Sequence, residues 1–407
     1  MTRLKFLLLF LLYTTGYTQA QNQPEAWELL ATGTTADLFS VHCINKDTVF
    51  ACGTDGTIIK TTDGGENWTI LNTGTNVLLK KIRFANDTLG YAVGETGTII
   101  KTINAGETWV QLISGTTENL NSVFCIDKDT VYAVGNNGIL LKTINGGGIW
   151  NSLTVGTSEN LMDIAFPSTN RGFAVGNGIC DTENFGESWN YGGPSYSDFR
   201  SIYFLDSMNG YIGSTFFTET TFDGGNNWSN CFALGENSEF WDIDVTNSGT
   251  IYFVGMVYTW QPYATIIMNF GDCNDYDTYW YHNEYEYQYN SVDFITDSIG
   301  YVAGYNGLIR KTDVAGYDTT TVSTDKLYKE EFEIYPNPTT GNFIIKSNLE
   351  NTKITISIFD YTGVLISEKK YHETNSIPVN IENLSKGIYF ITIKNKNHYE
   401  TQKIIIQ

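Results

Sequence analysis

Leu120-Asn121-Ser122-Val123-Phe124 is followed by Asp129-Thr130-Val131-Tyr132-Ala133-Val134-Gly135, then by Gly138-Ile139-Leu140-Leu141-Lys142-Thr143, then by Asn145-Gly146-Gly147 and Trp150. Each run is short, apolar and rich in β-branched or aromatic residues, and each gap carries Gly, Asn or Asp, so the stretch reads as strands joined by tight turns. The same sentence stands one unit earlier as Tyr91-Ala92-Val93-Gly94, Gly97-Thr98-Ile99-Ile100-Lys101-Thr102 and Trp109. Working outward, Trp falls at 27, 68, 109, 150, 189 and 228, at spacings of 41, 41, 41, 39 and 39. A fixed period of this length is an internal structural repeat.

Four strands in about forty residues is the pattern of a propeller blade. We label them A (the Ser-Val-Phe run), B (Tyr-Ala-Val-Gly), C (Ile-Leu-Lys-Thr) and D (beginning at the Trp). Full units end at Trp68, Trp109, Trp150, Trp189 and Trp228. A degenerate unit follows, with Asn269-Phe270-Gly271 at its turn. The last unit holds Gly300 to Gly304 and Gly307 to Thr312, with no Trp strand after it. Trp27 at the start lacks the strands that should precede it. The expectation is a seven-bladed β-propeller in which Trp27 to Leu30 returns as strand D of the seventh blade, removing an open sheet edge. Composition agrees with an all-β chain: aromatics are 14%, Gly numbers 39 and charged residues are only 17%.

Between strands C and D a box recurs: Thr61, Asp63, Gly65, Trp68; Thr102, Asn104, Gly106, Trp109; Thr143, Asn145, Gly147, Trp150; Thr182, Asn184, Gly186, Trp189; Thr221, Asp223, Gly225, Trp228. Turn chemistry accounts for every position: Asp or Asn bonds its own turn, Gly takes positive φ, and Trp plugs the hairpin. The boxes are therefore read as structural. They resemble the Asp boxes of bacterial neuraminidase repeats. With the Tyr-Ala-Val-Gly and Lys-Thr runs, residues 24 to 316 are similar to propellers of the photosystem II assembly-factor type. The resemblance speaks for fold rather than activity.

The ends carry an address. Arg3 and Lys5, the apolar run Phe6 to Tyr13, and Thr18-Gln19-Ala20 read as a signal peptide over 1–20. No later segment is apolar over the length of a membrane helix. The propeller is expected over 21–316, a Thr-, Asp- and Ser-rich linker over 317–330, and a small Ig-like β-sandwich over 331–407. Charge shifts at that boundary: 21–330 holds 14 basic and 37 acidic residues, against eight of each in 331–407. Pro336-Asn337-Pro338 with Gly341, the turn ending at Gly363, and the Lys386-Gly387-Ile388-Tyr389 hairpin resemble, in order, the type A C-terminal sorting domain of the Bacteroidota type IX secretion system. That resemblance implies the type IX machinery as a partner, export to the surface or beyond, and removal of the domain.

The net charge of −21 excludes a nucleic-acid face. No phosphate loop, nucleophile elbow or paired metal-ligand His spacing occurs, so no cofactor and no metal are expected. A sialidase needs three arginines on one carboxylate, and of Arg83, Arg171, Arg200 and Arg310 only Arg83 and Arg200 stand on innermost strands. Paired carboxylates at the axis keep a glycoside hydrolase open as the alternative. Cys43 and Cys52 flank the first A-to-B turn and form a candidate disulfide, with two buried thiols the competing reading. Unit six departs from the repeat. Tyr258, Trp260 and Tyr263 lie in a lengthened B-to-C connection, and Trp280, Tyr285 and Tyr287 in a D strand and exit crowded with aromatics and acids. Both links emerge on one face, so these six residues are the candidate surface for an unknown glycan or protein ligand, against extra packing. The expectation is a secreted or surface-displayed binding propeller without catalytic residues.

Overall fold

The computed structural model describes residues 27–315, apart from 194–197, 216–217, 233–237, 259–262, 270–278 and 285–287. Beyond them it describes 332–406, apart from 336–338, 348–352, 361–364, 373–375, 382–383 and 395–398. The chain divides into two compact units, Met1–Asp318 and Thr319–Gln407. The expected signal peptide over 1–20 and linker over 317–330 lie outside the described residues.

The first unit holds seven antiparallel four-stranded sheets, each in plain A-B-C-D order. Sheet I is Leu38–Cys43, Val49–Gly53, Ile58–Thr61 and Thr69–Leu71. Strands A of the remaining sheets are Leu79–Phe84, Leu120–Cys125, Leu161–Ala165, Phe199–Phe204, Ser238–Val245 and Tyr289–Phe294. In sheet VII the fourth strand is Glu28–Leu30, which pairs Glu28 with Lys311, Leu29 with Arg310 and Leu30 with Ile309. The first strand thus completes the last sheet. Arg310 Nη1 donates to the Trp27 carbonyl at 2.8 Å and Trp27 is buried, so the junction is fastened from both sides. Sheets VII and I adjoin, since Val41 N–H donates to Ser291 Oγ at 3.2 Å.

The repeat packs by an aromatic rule. The aromatic ending strand A stacks on the second residue of strand B in the preceding sheet: Phe84 on Phe50, Phe166 on Tyr132, Phe204 on Phe173, Phe294 on Tyr252. Trp109, Trp189, Trp228 and Trp27 meet these pairs edge-on. Each box Trp therefore wedges between neighbouring sheets rather than plugging only its own hairpin. In sheets I to III strand B ends in Gly because a Cβ on Gly53, Gly94 or Gly135 would stand 1.9 to 2.0 Å from the carbonyl oxygen just before the neighbouring strand A.

This packing corrects the candidate disulfide. Cys43 and Cys52 are free thiols. The register pairs Cys43 with Val49 and Cys52 with Ser40, so the two are not partners. Cys43 Sγ reaches the Asp293 carbonyl in sheet VII, and Cys52 Sγ reaches the Leu79 carbonyl in sheet II. They leave sheet I on opposite faces. Cys43 and Cys125 end strand A where sheets II, V and VII carry Phe; Cys43 is buried and Cys125 half-buried, as small apolar residues would be.

The second unit is two sheets over one apolar core. One contains Phe332–Tyr335, Asn342–Ser347 and Ser376–Asn380; the other orders Leu365–His372, Lys353–Asp360, Gly387–Lys394 and Tyr399–Ile406. Phe343, Ile345, Ile377 and Val379 face Ile356, Ile358, Ile391 and Ile404 across it. Of the sorting motif, Gly341 holds φ +109° where Thr339 Oγ1 accepts its N–H, and Gly387 opens a strand. Pro336, Asn337, Pro338 and Gly363 lie outside the described residues.

Candidate functional site: the axis and its mouth

Strand A lines the axis, and its residues sort into tiers once the sheets are aligned. Every strand A has a register break between its first apolar residue and the third position, from Leu38/Ser40 through Tyr289/Ser291. The second residue is thus bulged out of the ladder, the usual way a strand re-aims a side chain.

The third position is polar throughout: Ser40, Lys81, Ser122, Asp163, Ser201, Asp242 and Ser291. These side chains stitch one sheet to the next. Ile82 N–H donates to Ser40 Oγ (3.3 Å), Ile202 N–H to Asp163 Oδ2 (3.0 Å), and Val292 N–H to Asp242 Oδ2 (3.2 Å). Lys81 of sheet II reaches Asp242 of sheet VI at 3.3 Å, although sheets I and VII lie between them. The axis is narrow enough here to be crossed by one ion pair.

The fifth position forms a second polar tier. Asp293 Oδ2 accepts the Cys43 N–H at 2.6 Å, and Asp244 accepts the Phe294 N–H. Arg83 Nη1 lies 3.2 Å from Asp293 Oδ1 and 3.0 Å from His42 Nδ1, which itself stands 3.5 Å from Asp293. Burial pushes Asp293 up, but His42, Arg83 and the Cys43 amide together hold it well below the usual carboxylate range. Burial and the neighbouring Asp293 charge push Asp244 well above that range. Burial lowers His42, against the pull of Asp293. Arg83 is pushed down by burial and raised further by the carboxylates around it. Buried charge is tolerated here because each carboxylate has an amide or a cation. Sequence reasoning placed Arg83 on an innermost strand but singled out none of the axial carboxylates, yet the signal was present: aligning the repeats puts a polar residue at the third position of every unit.

The bulged tier differs. Asn121 Nδ2 and Asn290 Nδ2 donate to the Leu161 and Leu38 carbonyls, both at 2.8 Å, and so serve the framework. Phe39, Lys80, Met162, Arg200 and Trp241 are partly exposed. Around them, Tyr258 O–H and Trp241 Nε1–H both donate to Glu239 Oε2, at 3.3 and 3.2 Å. Tyr258 is 40% exposed. Phe39 and Tyr305 approach to 5.9 Å between centroids. Arg200 Nη2 is 3.8 Å from Asp198, and its Nε has no hydrogen-bond partner among the described residues. Burial first, then the Glu239 charge, raise the Tyr258 phenol, while Arg200 pulls it down and so acts across the same space.

Of the six aromatics expected to form a binding face, Tyr258 belongs to this mouth. Tyr263 begins strand C of sheet VI opposite Val257, and Trp280 pairs with Met268 in strand D. Trp260, Tyr285 and Tyr287 lie outside the described residues. Arg171 and Arg310 are engaged elsewhere: Arg171 with Asp181 at 2.8 Å and Glu183 at 2.7 Å, Arg310 with Trp27. The boxes form hydrogen-bonded turns in which the leading Thr takes part. Thr61 Oγ1 donates to Asp63 Oδ1 (2.7 Å) and accepts the Gly65 N–H (3.0 Å), while Asn67 N–H donates to Asp63 Oδ1 (2.9 Å). The bonds recur around Asn104, Asn145, Asn184 and Asp223.

Comparisons with known proteins follow these two units. Residues 333–407 match the family model described as a secretion system C-terminal sorting domain, a tail that marks a chain for type IX export to the cell surface or outside. Residues 18–116 match the model of the photosynthesis system II assembly factor YCF48. An ulvan lyase of Nonlabens ulvanivorans is 27% identical over 205 residues, covering 48% of this chain and 37% of that protein. The match thus spans little more than a third of that relative. Among solved structures, YCF48 bound to a D1 peptide is 15% identical with a TM-score of 0.58, covering 70% of this chain and 94% of that one. An ancestral GH74 enzyme is 12% identical with a TM-score of 0.54, covering 93% of this chain and 63% of that one. Among the described residues no helix is long and apolar enough to cross a membrane. The chain is therefore an all-β protein whose propeller resembles the YCF48 family and whose tail matches the type IX sorting domain.

Proposed function

We propose that the propeller is a non-catalytic binding module that recognises a glycan or an envelope protein once a signal peptide and the sorting tail have carried it to the cell surface. The observation that supports this is the contrast between tiers. The axial carboxylates are used up in joining sheets, while the mouth offers Phe39, Trp241, Tyr258 and Tyr305 with rings partly open to solvent. Rigid aromatics on strand bulges (Phe39, Trp241) and on the B-to-C links (Tyr258, Tyr305) suit recognition at low ordering cost. A glycan array and an envelope pull-down test the reading. Trp241→Ala and Tyr258→Ala are expected to lose the captured ligand, and unchanged capture by both removes this face.

One observation favours the alternative, a glycoside hydrolase. Asp244 and Asp293 are driven to opposite protonation preferences, as an acid and a base would be. Turnover of fluorogenic glycosides, abolished by Asp293→Asn, would replace the binding reading with that one.

A further inference from the structure

Resting on that reading, we infer that the mouth takes an acidic glycan, with a carboxylate or sulfate of the sugar at Arg200 and the sugar rings against Trp241 and Tyr258. The argument begins with which charges are already satisfied. Among the axial cations, Lys81 is held by Asp242 and Arg83 by Asp293. Arg171 is held by two carboxylates. Arg200 stands apart. Among the described residues its nearest carboxylate oxygen, on Asp198, is 3.8 Å away, beyond hydrogen-bond reach, and its side chain keeps 29% of its surface. A guanidinium is a planar fork of N–H donors matched to a two-oxygen anion, so one with no close carboxylate among the described residues, beside aromatics, is a specific anion site.

The second argument is that the aromatic side is preset. Glu239 takes both the Trp241 indole N–H and the Tyr258 hydroxyl on one oxygen, which ties two rings from strand A and the B-to-C link together. Glu239 is thereby committed, and its charge is shared between two donors. Lys80 stands in the same bulged tier, where the neutral Asn121 Oδ1 accepts from it at 2.7 Å; burial pushes its ammonium down and the Glu95 charge acts against that. On a chain of net charge −21, a mouth with two cations that no carboxylate of the described residues meets within hydrogen-bond distance is a local exception.

The test measures binding of the full chain to polygalacturonate, to heparin and to neutral dextran, at about 0.1 M and about 1 M salt, with melting curves for each variant. Binding to one or both acidic polymers, weakened by salt and absent for dextran, is expected; the arm that binds separates carboxylate from sulfate. Arg200→Gln is expected to lower that affinity about tenfold or more with unchanged melting, and Arg200→Lys to restore part of it. Tyr258→Ala is expected to weaken it also. Equal binding of dextran, or full affinity in Arg200→Gln, overturns the acidic-glycan assignment while leaving a binding propeller in place. Capture of an acidic peptide but none of the glycans overturns it likewise. Glycoside turnover with no binding overturns the broader reading itself.

Discussion

At the scale of single residues, the repeat is set by space and by local hydrogen bonds. Gly94 has an extended backbone, so its requirement is room: a Cβ there would lie 1.9 Å from the Leu78 carbonyl oxygen. Gly94→Ala is expected to cost several kcal/mol, about 3 or more, read as a fall in melting temperature. The boxes predict a pH effect. Hydrogen bonds from Asn67 and Thr61 hold Asp63 at about 2, and those from Asn227 and Thr221 hold Asp223 at about 2. A carboxyl whose folded value lies below its unfolded value, about 3.9, stabilises above that range. The contribution is lost as pH falls from about 4 toward 2. The variant Asp63→Asn with Asp223→Asn should flatten that part of the melting profile while leaving neutral-pH stability nearly unchanged, because Asn104, Asn145 and Asn184 already serve the same turn. The box was legible because its chemistry is confined to a few consecutive residues. The cysteine pairing was not, because hairpin register and the side from which a thiol leaves the sheet are set by neighbouring sheets.

At the scale of elements, each sheet depends on the one before it. Trp150 is buried against Tyr91 and Val93 of sheet II as well as against its own sheet. Trp150→Ala should therefore cost about 3–5 kcal/mol, as for a large core side chain, and more than an exposed truncation such as Ile113→Ala in the loop after Val110–Leu112 of sheet II. Chemical denaturation of the two variants compares them directly. Strand C lysines add a second link: Lys60, Lys101 and Lys142 donate to carbonyls of the next box, at Ala105, Gly146 and Phe185. The recurring Lys-Thr run was visible in the sequence as a pattern, but its partner lies about forty-five residues away in the following sheet, where no local rule points.

At the scale of the whole molecule, the first and last strands of the first unit share one sheet. Deleting residues 21–30 should leave the edge of Ile309–Thr312 unpaired and expose the pocket of Trp27. The expected outcome is a lower melting temperature and oligomers on size-exclusion chromatography, through pairing at the open edge. A monomer of unchanged stability would show that sheet VII stands without its borrowed strand. The axial ion pairs belong to this scale too. Lys81 and Asp242 are 161 positions apart and meet only because the sheets are arranged around a narrow centre.

The sequence by itself determined the unit: its period, its four strands, its box and the change of character at the tail, because each rests on short-range periodicity and turn chemistry. The tertiary structure alone decided which polar residues converge. Asp163, Asp242, Asp244 and Asp293 are scattered over 131 positions and were anonymous among many acids. Bringing strand A of every sheet to one axis made them stitches between sheets, and left Arg200 with Trp241 and Tyr258 at the mouth. The physical reason is that side-chain direction on a strand is local, whereas the neighbour it meets is set by how twisted sheets pack around a ring.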